Sequence, residues 1–129
     1  MEKILIVEPD NLLCQEVMKQ IRTAGYTNLL SAFSGEEALQ VCQKEKPQLI
    51  ILDVMMDEPD DGFFLAQKFR REGIKTPILM YTSVSKTIGF EYGSGEMVPV
   101  DDFVEKPISP DQLVEKVETL LQKSNKESL

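Results

Sequence analysis

The stretch Leu49-Ile50-Ile51-Leu52-Asp53-Val54-Met55-Met56 decides how the rest of the chain is read. It opens with four apolar residues in a row, without the alternation of a half-exposed strand. A short run of this kind fits a strand covered on both faces, as in a parallel sheet flanked by helices. Asp53 closes the run. The carboxyl ends of parallel strands are where open α/β folds place their ligands. Carboxylates rarely enter cores unpaired, so an acid in this position points to chemistry more than to packing.

Upstream, Ile4-Leu5-Ile6-Val7 is a second run of the same kind, followed by Glu8-Pro9-Asp10. Apolar residues then recur near every fourth position (Leu13, Val17, Ile21, Ala24), which predicts a helix stopped by Gly25. Leu29 to Ala32 reads as a weaker strand. Ser34 with Glu37 three residues on is a capping-box signature, and Ala38, Val41 and Cys42 supply the buried stripe of the helix that follows. Pro47 breaks the chain before the Leu49–Leu52 strand.

Downstream, a helix is predicted over 62–72, with Phe64, Leu65 and Phe69 inward and Gly73 past its end. Pro77 precedes the strand Ile78-Leu79-Met80-Tyr81, and Phe103-Val104-Glu105 is a short fifth strand. The last helix opens with Ser109 as cap, Pro110 at its first position and Gln112 completing a capping box. Its buried face is Leu113, Val114, Val117, Leu120 and Leu121, and the polar tail from Gln122 is expected to fray. Between Ser83 and Asp102 a fourth helix is due, but Gly89, Gly93, Gly95 and Pro99 interrupt it. A short helix near 85–90 followed by a loop is the most this segment allows. Strands alternating with helices from end to end are the pattern of a doubly wound parallel sheet.

The chain has 129 residues, 42% apolar content, a formal charge of −8 and no histidine. One domain with a full core follows from the size. The acidic balance disfavours direct contact with nucleic acid or an anionic membrane, which needs clustered Lys and Arg. It suits divalent cations or basic protein surfaces. Lack of histidine excludes a Ser-His-Asp apparatus, a His metal site and a phosphohistidine carrier within this chain. Cys14 and Cys42 fall in amphipathic patterns and form no CxxC, so they read as buried small hydrophobes of a reducing compartment. The amino terminus lacks the layout of a signal peptide and no stretch has the length of a membrane span. A cytoplasmic protein is expected.

The residues that follow each strand are Glu8 and Asp10, then Asp53, then Thr82 and Ser83, then Lys106-Pro107. A parallel sheet brings all of them to one edge. With the first and third strands adjacent, the acids cluster and Lys106 can point at them. Acids at close range need a cation or a raised pKa. Magnesium suits such a site, since it prefers carboxylate, carbonyl and water oxygens. A nucleophilic carboxylate, a metal, a hydroxyl and a Lys are together what phosphoryl transfer to an aspartate requires.

On these motifs the chain resembles the receiver domain of two-component response regulators, from Ile4 to Leu121. The resemblance implies a flavodoxin-like, five-stranded sheet of order 2-1-3-4-5, with residues 1–121 as the receiver and 122–129 as a polar tail. It implies a phosphoacceptor rather than an enzyme. Asp53 would take the phosphoryl group and Lys106 would pair with its oxygens, while Thr82 and the backbone N–H of Ser83 would donate to it. Glu8, Asp10, Asp53 and the backbone carbonyl of Met55 would hold Mg2+, with capping of the first helix as the alternative role of Asp10. Phe103 and Thr82 would form the switch. The implied partners are a sensor histidine kinase or phosphotransfer protein and a downstream protein. With no output domain after Leu121, the signal is expected to leave through that protein or through a homodimer, on the face of the fourth-helix region, fifth strand and last helix.

The departures are specific. The family has two consecutive acids after the first strand, and Pro9 occupies the place of the one that binds magnesium directly. Asp57 stands where a Pro is common, Gly62 arrives one residue late, and the loop 57–61 is acidic. Glu8 with Asp10, or a loop acid such as Asp57 or Glu58, is expected to supply the missing ligand. Two alternatives are a degenerate receiver used as a phosphorylation-independent binding module, which Pro9 favours, and an aspartyl-phosphate hydrolase. The second is weaker, because such enzymes carry an Asp two residues after the nucleophile, where this chain has Met55.

Overall fold

In a computed structural model, which describes residues 3–53, 61–82, 102–105 and 110–127, the apolar runs become the strands of one sheet. They are β1 (Ile4–Val7), β2 (Leu29–Ala32), β3 (Leu49–Asp53), β4 (Ile78–Thr82) and β5 (Asp102–Glu105). The helices are α1 (Asn11–Thr23), α2 (Gly35–Glu45), α3 (Asp61–Arg71) and α4 (Pro110–Glu127). All strand pairs are parallel and the order is β2-β1-β3-β4-β5, as the sequence implied.

Side chains of successive strand residues point to opposite faces, and here both faces are apolar. Leu5, Val7, Ile50, Leu52, Ile78 and Met80 pack with Ala38 and Cys42 of α2 and with Leu65, Ala66 and Phe69 of α3. Ile4, Ile6, Leu49, Ile51 and Leu79 pack with Cys14, Val17 and Ile21 of α1 and with Leu113, Val117, Leu120 and Leu121 of α4. Burying one such Leu or Ile stabilises by roughly 1.5–3 kcal/mol. The unbroken apolar runs therefore contribute a large share of the core, and they hold β1 and β3 in the interior. Cys14 and Cys42 are free, and the sheet lies between them.

Helix limits follow the caps. Asp10 caps α1, accepting the backbone N–H groups of Leu12 and Leu13, and Ser34 caps α2, accepting that of Glu37. Gly25 follows α1 at φ +105°, a conformation that glycine adopts without strain. α2 ends instead on Lys46, in the left-handed region at φ 51°.

Some limits differ from the sequence reading. Ala24 is the exposed C-cap of α1 and not part of its buried stripe, because the helix ends at Thr23. α4 continues to Glu127, past Gln122, since nothing between Leu121 and Glu127 is Gly or Pro. Asp53 and Thr82 belong to their strands rather than following them. The interrupted segment where a fourth helix was due, and the Ser109 cap, lie outside the described residues. Among the described residues no helix is long and apolar enough to cross a membrane.

Candidate functional site

The site is set by strand register. Val7 pairs with Leu52, so Glu8 and Asp53 each stand one residue further on, at the ends of adjacent strands. Neighbouring strands lie about 4.8 Å apart, which fixes the spacing of the two main chains. Asp53 pairs with Tyr81, and Thr82 pairs with Glu105. Glu8, Asp53, Thr82 and the end of β5 therefore share the carboxyl edge. The chain winds outward from β1 in both directions, through β2 on one side and β3 on the other. Such a switch point opens a crevice at the carboxyl ends of the strands.

Glu8 is the only buried polar or charged side chain among the described residues, at 1% exposure. Its backbone N–H donates to the Ala32 carbonyl at 3.0 Å, extending the β1–β2 pairing by one residue. Its Oε2 accepts the backbone N–H of Asp10 at 3.1 Å. Beside it lies the Cys14 thiol, which is pushed above its ordinary pKa by burial and further by the negative charge of Glu8. Cys14 Sγ in turn lies 3.9 Å from Met18 Sδ. Taking a carboxylate out of water is costly unless partners compensate. Its place is the edge where a cation would be useful.

The two neighbours of Glu8 play different parts. Pro9 has no N–H and no side-chain donor, so strand pairing ends beside it. Asp10 is exposed, and its Oδ1 accepts the backbone N–H groups of Leu12 at 3.0 Å and Leu13 at 3.3 Å. The sequence did contain this cap signal, an Asp just before an apolar-periodic run. The closeness of Cys14 to Glu8 was not foreseen, since it depends on how α1 docks.

The backbone register brings Glu8 and Asp53 to adjacent strand ends; acids of this type carry the hard oxygen donors that Mg2+ takes, and this ion keeps several waters when few protein ligands are present. The pair fits the ion that the resemblance implies. Among the described residues no three of His, Cys, Asp and Glu gather into a fuller metal cage. Thr82 ends β4, and Phe103 sits in β5 opposite Met80. Met55, Ser83, Lys106 and the loop acids Asp57 and Glu58 lie outside the described residues.

The same edge carries unusual apolar exposure. Leu12, in the first turn of α1, is 78% exposed, and Phe33, directly after β2, is 41% exposed. Phe33 also lines a groove of about 750 Å3 with Asn11, Cys14, Met18 and Ser31.

Comparison with known proteins agrees with this geometry. The family model described as response regulator receiver domain matches residues 4–118. The chain is 33% identical over 127 residues to the alkaline phosphatase synthesis transcriptional regulatory protein PhoP of Bacillus subtilis, covering 95% of this chain and 50% of that protein. It is 34% identical over 125 residues to the probable transcriptional regulator ycf27 of Pyropia yezoensis, covering 97% and 49% respectively. The chain thus spans about half the length of these curated relatives. Among solved structures, it superposes on the receiver domain of the Francisella response regulator 1452 with a TM-score of 0.82 at 27% identity, covering 96% of this chain and 99% of that one. For a putative response regulator from Chloroflexus aurantiacus the TM-score is 0.77 at 35% identity, with 94% and 98% covered. From its sheet order, its strand-end acids and these likenesses, the chain belongs to the response regulator receiver domains.

Proposed function

We propose that Asp53 accepts a phosphoryl group from the phosphohistidine of a sensor kinase or phosphotransfer protein. The observation that carries this reading is the level register of Asp53 with Glu8, a buried acid on the adjacent strand. A carboxylate oxygen of Asp53 attacks phosphorus, and the bond from phosphorus to the donor imidazole breaks. Mg2+, held by Glu8, Asp53, the Met55 carbonyl and water, would supply neutralising charge for the phosphoryl oxygens. Thr82 and the Ser83 amide donate hydrogen bonds to the transferred group, and Lys106 meets its charge. The chain acts as a phosphoacceptor in the cytoplasm, not as an enzyme with turnover of its own.

The exposed Leu12 and Phe33 flank this edge and suit the apolar contact of a donor protein. On the output side, Phe103 and Thr82 shift an existing equilibrium at the β5–α4 face, where a downstream protein or a second copy reads the change. The test is incubation with acetyl phosphate, or with beryllofluoride, in the presence of MgCl2, read by intact mass or NMR. A Mg-dependent adduct is expected on the wild-type chain and none on Asp53→Asn. If the two chains behave identically, the phosphoacceptor reading falls and a phosphorylation-independent binding module takes its place.

A further inference from the structure

We propose that Asp10 is a positioning residue that aims the Glu8 carboxylate through its own backbone amide, and is not itself a metal ligand. This rests on reading the carboxyl edge as a magnesium site. Asp10 Oδ1 is held by two amides of the first turn of α1, at 3.0 and 3.3 Å. Asp10 itself has the extended backbone of a helix cap, φ −84° and ψ 111°. Its N–H points the other way along the chain and donates to Glu8 Oε2 at 3.1 Å.

One residue therefore links the helix to the acid. α1 is anchored in the core by Cys14, Val17 and Ile21. The cap fixes Asp10 to that helix, and the amide fixes one oxygen of Glu8. Pro9 provides no amide, so Asp10 has the first main-chain donor after Glu8. A glutamate side chain has several rotors to immobilise, and an amide bonded to a carboxylate is among the stronger ways to do so. Meanwhile the two helix amides occupy Oδ1 and fix the Asp10 carboxylate to the helix end, so a cation that demands near-octahedral geometry is left with Oδ2 alone, in the orientation the cap imposes.

The experiment compares Asp10→Ser with Asp10→Ala. Serine caps a helix about as well as aspartate but brings no carboxylate, while alanine removes the cap. Mg2+ affinity is measured by calorimetry at raised KCl, which screens the through-space loss of one exposed charge. Asp10→Ala is expected to weaken Mg2+ by about tenfold, the scale of losing a supporting hydrogen bond, and Asp10→Ser by no more than about twofold. Without metal, amide exchange at residue 10 should quicken and the Glu8 carboxyl 13C signal should move in the alanine variant, with the serine variant close to wild type. Equal losses of affinity in both variants would make the Asp10 carboxylate a ligand and overturn the proposal. An alanine variant that matches wild type in the exchange and carboxyl signals would overturn it too. If the wild-type chain bound no Mg2+, the magnesium reading would fail by itself, and the metal-free signals would still decide the role of Asp10.

Discussion

The units β1–α1 and β2–α2 lie side by side with Val7 paired to Ala32, so Glu8 and Phe33 stand level at the ends of adjacent strands. Both units turn into their helices through a polar cap, Asp10 in one and Ser34 in the other. Their burial is reversed with respect to polarity: the acid is inside and the aromatic is outside. Packing alone would exchange them. β1 is an interior strand with a neighbour on each side, whereas β2 is the edge of the sheet. Local rules are broken where a site needs it, and the intact strands nearby supply the stability that permits it.

The comparison extends to the two thiols, and the largest expected effect lies there. Burial pushes Cys42, in α2, from 9.0 up to about 11. The folded chain then holds this proton more tightly than the unfolded chain does. The associated stability is complete below pH 9 and is lost as pH rises toward 11. A shift of that direction and size corresponds to a loss of about 2 kcal/mol once solvent screening of the thiol is allowed for. Urea unfolding of wild type and Cys42→Ala across pH 8–11 should show the wild-type advantage shrinking on that order, and a constant gap would refute it.

Next in size is Glu8→Gln. Magnesium affinity should fall by about tenfold or more, about 1.4 kcal/mol. The same variant sharpens the contrast between the thiols. Cys14 should titrate lower, toward its ordinary value, because a neighbouring negative charge has gone, while Cys42 should not move. A 13Cβ titration of both residues reads this in one sample.

The helix ends supply the third test. α1 is followed by Gly25 at positive φ, but α2 places Lys46 in the left-handed region. Lys46→Gly should stabilise the chain by about 1 kcal/mol or less, the left-handed penalty of a side chain reduced by the entropy cost of glycine. Thermal or urea unfolding measures it. The smallest effect belongs to Phe33→Ser, which should slow phosphorylation by a protein donor about threefold, as truncation of one contact side chain does. Labelling by acetyl phosphate should be unchanged. Slowing of both reactions would place Phe33 in the site and break the distinction from Glu8.

Much of this architecture was legible in the chain. The runs 4–7 and 49–52 read as strands from their length and apolar character, and the helices between them showed periodicity and cap signals. Ala24 was misread because a C-cap falls in phase with the stripe before it. Helix α4 runs on through the polar residues after Leu121 because Lys, Ser and Asn end no helix unaided. Asp10 suited two roles at once, since capping and metal binding ask for the same side chain. The hydrogen bonds that Oδ1 accepts show the capping role. That Glu8 would be buried followed from its place between β2 and β3, which no local pattern announces.

The proline beside Glu8 has a consequence for how the domain depends on its surroundings. An acid at position 9 would add a carboxylate next to one already buried, and the two would repel until a cation arrived. A ligand that binds only the folded state stabilises it in proportion to the logarithm of its concentration. Such a chain would be firmer in magnesium-rich solution and weaker without it. With Pro9 in place that repulsion is absent, and the ring also restricts the unfolded chain. This receiver therefore carries one source of magnesium-relieved repulsion fewer than a chain with an acid at position 9, while Glu8 and Asp53 remain at adjacent strand ends.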